Sequence, residues 1–211
     1  MATLLLIATA LTSARPAQTT GAVFVDSAQT IGNTFATGFW AAQSAVLVSI
    51  ADADVNEAKP NKNYGSGKLM VVNSDAGGNR RVYLRFDLSA IPVNSTVQSA
   101  TLSICVLTAP KTARAYETHR VTEDWNETSV TWNDQPVTEP ASGSSTSIPT
   151  SPGCVTWSVE TDVQAWVSNS ATNYGWRVND GAENASKSVQ TKFRTRENSS
   201  GPTLSVTYSE P

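Results

Sequence analysis

RRVYLRFDLSAIP, residues 80–92, is the stretch whose reading decides the fold. Val82, Leu84 and Phe86 fall on one parity, and Arg81, Tyr83, Arg85 and Asp87 on the other. A period of two belongs to a strand with one buried face. Pro92 cannot donate to a ladder and disfavours helical geometry at Ile91, so Asp87 to Pro92 reads as a sharp exit. The inward set is ordinary core. The outward set carries two arginines and a tyrosine, which makes that face the first place to look for function.

On either side the same pattern recurs. Upstream, Ala45–Ile50 and Leu69–Val72 suit strands, separated by a turn-rich loop over residues 60–67 and followed by a turn at 74–79. Downstream, Val97–Leu107 alternates with Leu102, Ile104 and Val106 inward, and Thr112–Val121 is a more polar strand. Residues 174–178, 188–196 and 203–208 complete the set. Short strands at roughly ten-residue spacing, broken by Gly, Pro and Asn, predict an all-β, jelly-roll-like antiparallel sandwich. Val159, Val163, Trp166 and Val167 recur at helical spacing and predict one short helix over 159–167. One sandwich domain over residues 45–211 accounts for these elements, with no internal repeat.

Composition narrows the function. A net charge of −3 gives no bulk reason to expect a nucleic-acid partner. One His, two Cys and two Met are too few for a zinc site built from Cys and His. His119 has no Ser or Cys neighbour to form a nucleophile pair with, and reads as a surface residue. Glu123, Asp124 and Glu127 show no sign of a shared pocket, so glycoside hydrolysis is not supported.

Residues 2–14, ATLLLIATALTSA, are too short to span a bilayer but suit the core of a secretion leader, with small residues at 12–14. No Lys or Arg precedes Arg15, and the Thr, Leu and Ile content equally suits a strand that pairs into a sheet edge. Residues 1–20 are therefore a leader or a donor strand, and 21–44 a Thr/Gly-rich, linker-like segment. Within the latter, Phe24 with Asp26 and the run Gly32-Asn-Thr-Phe-Ala-Thr-Gly38 resemble secreted fibre and biofilm-matrix proteins of the camelysin type.

Five separated motifs carry a more specific resemblance, from about residue 51 to the C-terminus. They are Asn61-Lys-Asn-Tyr-Gly65, Val82-Tyr-Leu-Arg-Phe-Asp-Leu88, Trp125-Asn-Glu-Thr-Ser-Val-Thr-Trp-Asn133, Val163-Gln-Ala-Trp166 and Pro202-Thr-Leu-Ser-Val-Thr-Tyr208. In this order they resemble the DNRLRE-type secreted domains, which are related to a class of carbohydrate-binding modules. The resemblance implies a jelly-roll-like sandwich on a bacterial or archaeal cell-surface protein. Where that family carries Asp-Val-Thr, this chain has Ser158-Val-Glu160, which leaves any metal-binding role of that carboxylate in doubt.

Candidate sites follow from side-chain chemistry. On residues 188–196, Lys192, Arg194 and Arg196 share the polar parity, as Arg81 and Arg85 do on the central strand. If those strands share a sheet, a cationic stripe results that matches the carboxylates of a uronic-acid polymer, with Tyr83 placed to stack a sugar ring. The competing reading is a solvated face whose cations pair across strands with residues such as Asp87 or Glu117. Asp52 and Asp54, followed by Asn56 and Glu57, are closely spaced oxygen ligands of the kind a structural Ca²⁺ takes, though without a full calcium-loop pattern. Trp125, Trp132, Trp157, Trp166 and Trp176 offer either sugar platforms or core. Cys105 and Cys154, an even pair in an exported chain at outward parity, are expected to form a disulfide.

Two functions fit. One is a non-catalytic extracellular or cell-surface module that binds cell-wall or matrix polysaccharide. The other is a structural subunit of a surface fibre, assembled from copies of itself by donating the N-terminal strand.

Overall fold

The computed structural model describes residues 41–140 and 143–211. The leader-or-donor segment 1–20, and residues 21–40 of the linker-like segment, lie outside the described residues. In order come β1 (Gln43–Asn56), β2 (Leu69–Ser74), β3 (Arg80–Phe86), β4 (Thr96–Thr108), β5 (Arg114–Arg120), β6 (Ser144–Ile148) and β7 (Gly153–Ser158). Helix α1 (Glu160–Val167) follows, then β8 (Trp176–Asp180), β9 (Val189–Arg194) and β10 (Thr203–Ser209). Every strand pairing is antiparallel. The expected all-β sandwich with one short helix is what the chain adopts.

Strand β1 organises the sheets. Its first half, residues 43–48, pairs with β10; its second half, from Ser49 to Asn56, pairs with β3. A register irregularity between Ser49 and Ala51 marks the change of partner. One leaf therefore runs β1, β10, β4, β9, β2, with β7 also on β4; the other runs β1, β3, β8, β5, β6. Because β2 also touches β3, through the pair Asn73–Arg80, the path closes on itself like a barrel. The strand expected over Ala45–Ile50 runs on to Asn56, so Asp52, Asp54 and Asn56 are strand residues. The Ser/Thr-rich β6 has no apolar alternation to announce it.

The main core lies between the leaves. Val82, Leu84 and Phe86 are at most 1% exposed and meet Leu102, Ile104, Trp157, Trp176 and Leu204. Helix α1 buries Val163, Trp166 and Val167, with Trp166 and Trp176 rings 4.5 Å apart. Gln164 ties the helix to the start of β4, accepting the Val97 N–H at 2.8 Å and donating to the Ser95 carbonyl. Cys105 and Cys154 sit directly opposite each other on β4 and β7 and are joined by a disulfide, as their outward parity predicts.

A second core covers the outer face of the other leaf. Ala51, Ala53 and Val55 of β1 and Tyr83 of β3 are buried there against Val121, Trp125 and Val130. The cover is the long connection after β5. Its two ends meet where Val121 bridges Thr138 and the Thr122 N–H donates to the Val137 carbonyl at 2.9 Å.

Candidate functional site

This second core decides the fate of the outward arginines on β3. Tyr83 is fully buried, not outward-facing: its ring lies 5.7 Å from that of Trp125 and its hydroxyl donates to Gln135 Oε1 at 3.1 Å. Burial pushes its hydroxyl pKa up to about 12. A sugar cannot stack on a ring already covered by protein. Arg85 donates to the carbonyl of Trp125 and to Asp124 Oδ1, with its guanidinium 5.2 Å from the Trp125 ring centroid. Arg81 clamps Glu183 with two hydrogen bonds of 2.8 and 2.7 Å and lies over the Trp132 ring. The bond to Glu183 raises its pKa further.

The loop that makes this cover is tied down by a second one. Asn63 Nδ2 donates to the carbonyls of Glu127 and Val130, both at 2.8 Å, while its Oδ1 accepts the Gly65 N–H. A Cβ on Gly65 would lie 1.9 Å from the Glu127 carbonyl oxygen, so only glycine allows the two backbones so close. The Asn133 N–H donates to Pro60, and its side chain to Asn61. Three motifs separate in sequence, at 61–65, 82–88 and 125–133, thus pack into one structural unit. Beside Arg85, the same loop forms a cleft of about 290 Å³ lined by Glu123, Asp124, Trp125, Asn126, Asp134 and Gln135. Three carboxylates there repel a polyanion.

Arg196 is also engaged. It clamps Glu127 through two 2.8 Å hydrogen bonds and lies 3.4 Å from Glu197. Its backbone N–H donates to Asp52 Oδ2 at 2.7 Å, and Glu127 Oε1 accepts the Asp52 N–H. Asp52 and Asp54 are each 1% exposed. Burial raises Asp52 to about 7 and Asp54 to about 6, the latter despite its ion pair with Arg80. The calcium reading rested on the close spacing of these carboxylates; they occupy a buried strand, and among the described residues no group of three or more acid, His or Cys side chains could hold a metal ion.

The β9 cations differ from the rest. Lys192 and Arg194 alternate with the buried Thr191 and Phe193, so they point away from the core. They do not share a face with Arg81 and Arg85: β2 separates β9 from β3, and it meets β3 through one residue pair only. The single stripe expected from parity is therefore two separate groups. Among the described arginines, Arg80, Arg81, Arg85, Arg114, Arg120 and Arg196 each hold a carboxylate. Arg177 donates to Asn179. Among the described arginines, Arg194 alone has no side-chain hydrogen bond or ion pair. The register adds residues that sequence reasoning missed. Leu69, next to the exposed Lys68, lies opposite Arg194, and Thr108, three residues before the exposed Lys111, lies opposite Lys192.

Of the tryptophans, Trp125, Trp157, Trp166 and Trp176 are buried core, and Trp132 is partly covered by Arg81. His119, read as a surface residue, is 6% exposed, with Nδ1 3.2 Å from the Glu139 carbonyl and Nε2 3.6 Å from Glu117. No described helix is long and apolar enough to cross a membrane. No curated protein matches the chain. A family model does, from the first residue of β1 into the last strand: residues 43–208 match carbohydrate-binding module family 96. The closed two-leaf sandwich and a match over nearly all of its strands make this chain a member of carbohydrate-binding module family 96.

Proposed function

We propose that this domain is a non-catalytic, exported polysaccharide-binding module that prefers acidic polymers, and that the polymer lies along the outward side of β9. The observation that carries this is the state of Arg194. Every other described arginine spends its guanidinium on a protein partner, whereas Arg194 stands half-buried with Lys192 on the outward side of β9. Successive outward residues on a strand are about 7 Å apart, so the two cations meet a polymer at separated points. A guanidinium can take a carboxylate bidentately while the ammonium adds a point charge. Of the six residues that parity grouped together, the proposal keeps Lys192 and Arg194 as ligand contacts. It gives Arg81, Tyr83, Arg85 and Arg196 to the scaffold. The Cys105–Cys154 disulfide supports export, because such bonds persist in oxidising compartments.

The test is retention on immobilised polyuronate against a neutral glucan, over a range of salt. Stronger retention on the polyuronate is expected, falling with salt because the charges are partly exposed and screened over about 8 Å at physiological ionic strength. Lys192→Ala and Arg194→Ala should each weaken it with the melting temperature unchanged. Equal retention on both polymers, insensitive to salt and to these variants, overturns the assignment.

A further inference from the structure

We propose that the polymer held at Lys192 and Arg194 runs on over two rows of hydroxyl side chains on β10, β4 and β7, and that the ligand is a polysaccharide in which carboxylate-bearing sugars stand beside neutral ones. The inference rests on the reading of Lys192 and Arg194 given above. Strand register builds the rows. Thr203, Ser103 and Thr156 lie opposite one another on β10, β4 and β7, and Ser205, Thr101 and Ser158 do the same one step along. All six alternate with core residues such as Leu102, Trp157 and Leu204, so they emerge on the outer face of the sheet. On β1 the rows end at the exposed Val48 and Val46.

These rows adjoin the cations. Leu102 pairs with Trp157 of β7 on one edge of β4 and with Leu204 of β10 on the other. Val106 likewise pairs with Gly153 of β7 and with Phe193 of β9. β9 and β10 therefore share an edge of β4. Lys192 and Arg194, which flank the buried Phe193, emerge on the same outer face as the hydroxyls. From Val106, opposite Phe193, to Ser103 in the first row is three residues along β4, or about 10 Å.

The chemistry of the face identifies its occupant. None of the six hydroxyl groups has a hydrogen bond to another described residue, and the rows hold no charged and no aromatic side chain. A nucleic acid needs cations along its backbone, and a protein interface needs an aromatic or arginine anchor. A hydroxyl is donor and acceptor at once and rotates to suit, which matches the hydroxyls of a sugar. Each such exchange with water gains little, so several must act together along a chain. A carboxylate over the rows meets no cation, whereas one at β9 meets two. That asymmetry selects a mixed polymer over a homopolyuronate.

Retention of the full chain is to be compared on one polyuronate in three forms: unesterified, half methyl-esterified and fully esterified. A methyl ester removes the charge and keeps the ring hydroxyls. The half-esterified form should hold the protein most tightly and the fully esterified form least. The triple variant Thr101→Val/Thr156→Val/Thr203→Val removes three hydroxyls without adding charge and keeps the β-branched shape. It should weaken retention on the half-esterified form about tenfold, with the melting temperature unchanged. Retention that falls steadily with ester content overturns the inference, and so does a triple variant that binds like the parent. In either case a loss of binding in Lys192→Ala leaves the β9 site standing. If Lys192→Ala changes retention on none of the three forms, the β9 reading fails and this inference with it.

Discussion

At the scale of the residue, Leu84 and Arg85 show what strand parity conveys and what it leaves out. Leu84 points between the leaves with no exposure, and Leu84→Ala should cost about 2–5 kcal/mol in denaturant melts through lost burial and a cavity. Parity alone predicts that Arg85→Ala leaves folding nearly intact. The structure changes that expectation, because the guanidinium holds the Trp125 carbonyl and Asp124. Removing it should cost about 1–3 kcal/mol by stranding a partly buried acceptor. If Arg85→Ala melts like the parent protein, the 121–138 loop is not held by this contact. The inward set was legible because a period of two needs no knowledge of the rest of the fold. The burial of Tyr83 was not, since it depends on a loop arriving from some 40 residues away. A signal was present nonetheless: Trp125, Val130 and Trp132 are large apolar residues in a segment with neither helical nor strand period. Such residues need a surface to cover.

At the scale of the element, β1 was the strand read worst. Its first six residues alternate against solvent, but Ala51-Asp-Ala-Asp54 is sandwiched between two cores and lacks the apolar run of a buried strand. Aspartates in such a place look like loop residues or calcium ligands until their partners are known. Their burial has a measurable consequence. Asp52 sits among Ser49, Arg196, Glu127 and Glu197, and desolvation holds its folded pKa near 7 against an ordinary carboxyl value of 3.8. A carboxyl raised in the folded state keeps its proton there while the unfolded chain releases it. Stability is therefore greatest in mild acid and falls as pH rises from about 4 toward about 7, with Asp54 adding the same sign up to about 6. Urea melts should give a more stable protein near pH 5 than near pH 8. Asp52→Asn, which keeps an acceptor for the Arg196 N–H, should reduce that difference. A wild-type curve rising from pH 5 to pH 8 contradicts the assignment.

At the scale of the whole molecule, the sandwich and the disulfide were legible, and the proposed binding face only in part. Alternation, turn residues and an even Cys pair are local properties, whereas the fate of each arginine depends on which carboxylate the fold delivers to it. Lys192 and Arg194 were found by parity, but nothing local separated them from Arg81 and Arg85. The disulfide links positions 49 residues apart and, in the chain-entropy model, stabilises by roughly 4 kcal/mol. The Cys105→Ser/Cys154→Ser double variant should lose about that much, and the unreduced, denatured parent should show no free thiol. Strand order has a further effect, in time rather than in energy. The strand that lies between β1 and β4 is β10, residues 203–209, the last of the described strands. During synthesis, the first described strand must wait for the last before either leaf can close. Nearly the whole domain must emerge before native pairing is complete, which slows its folding.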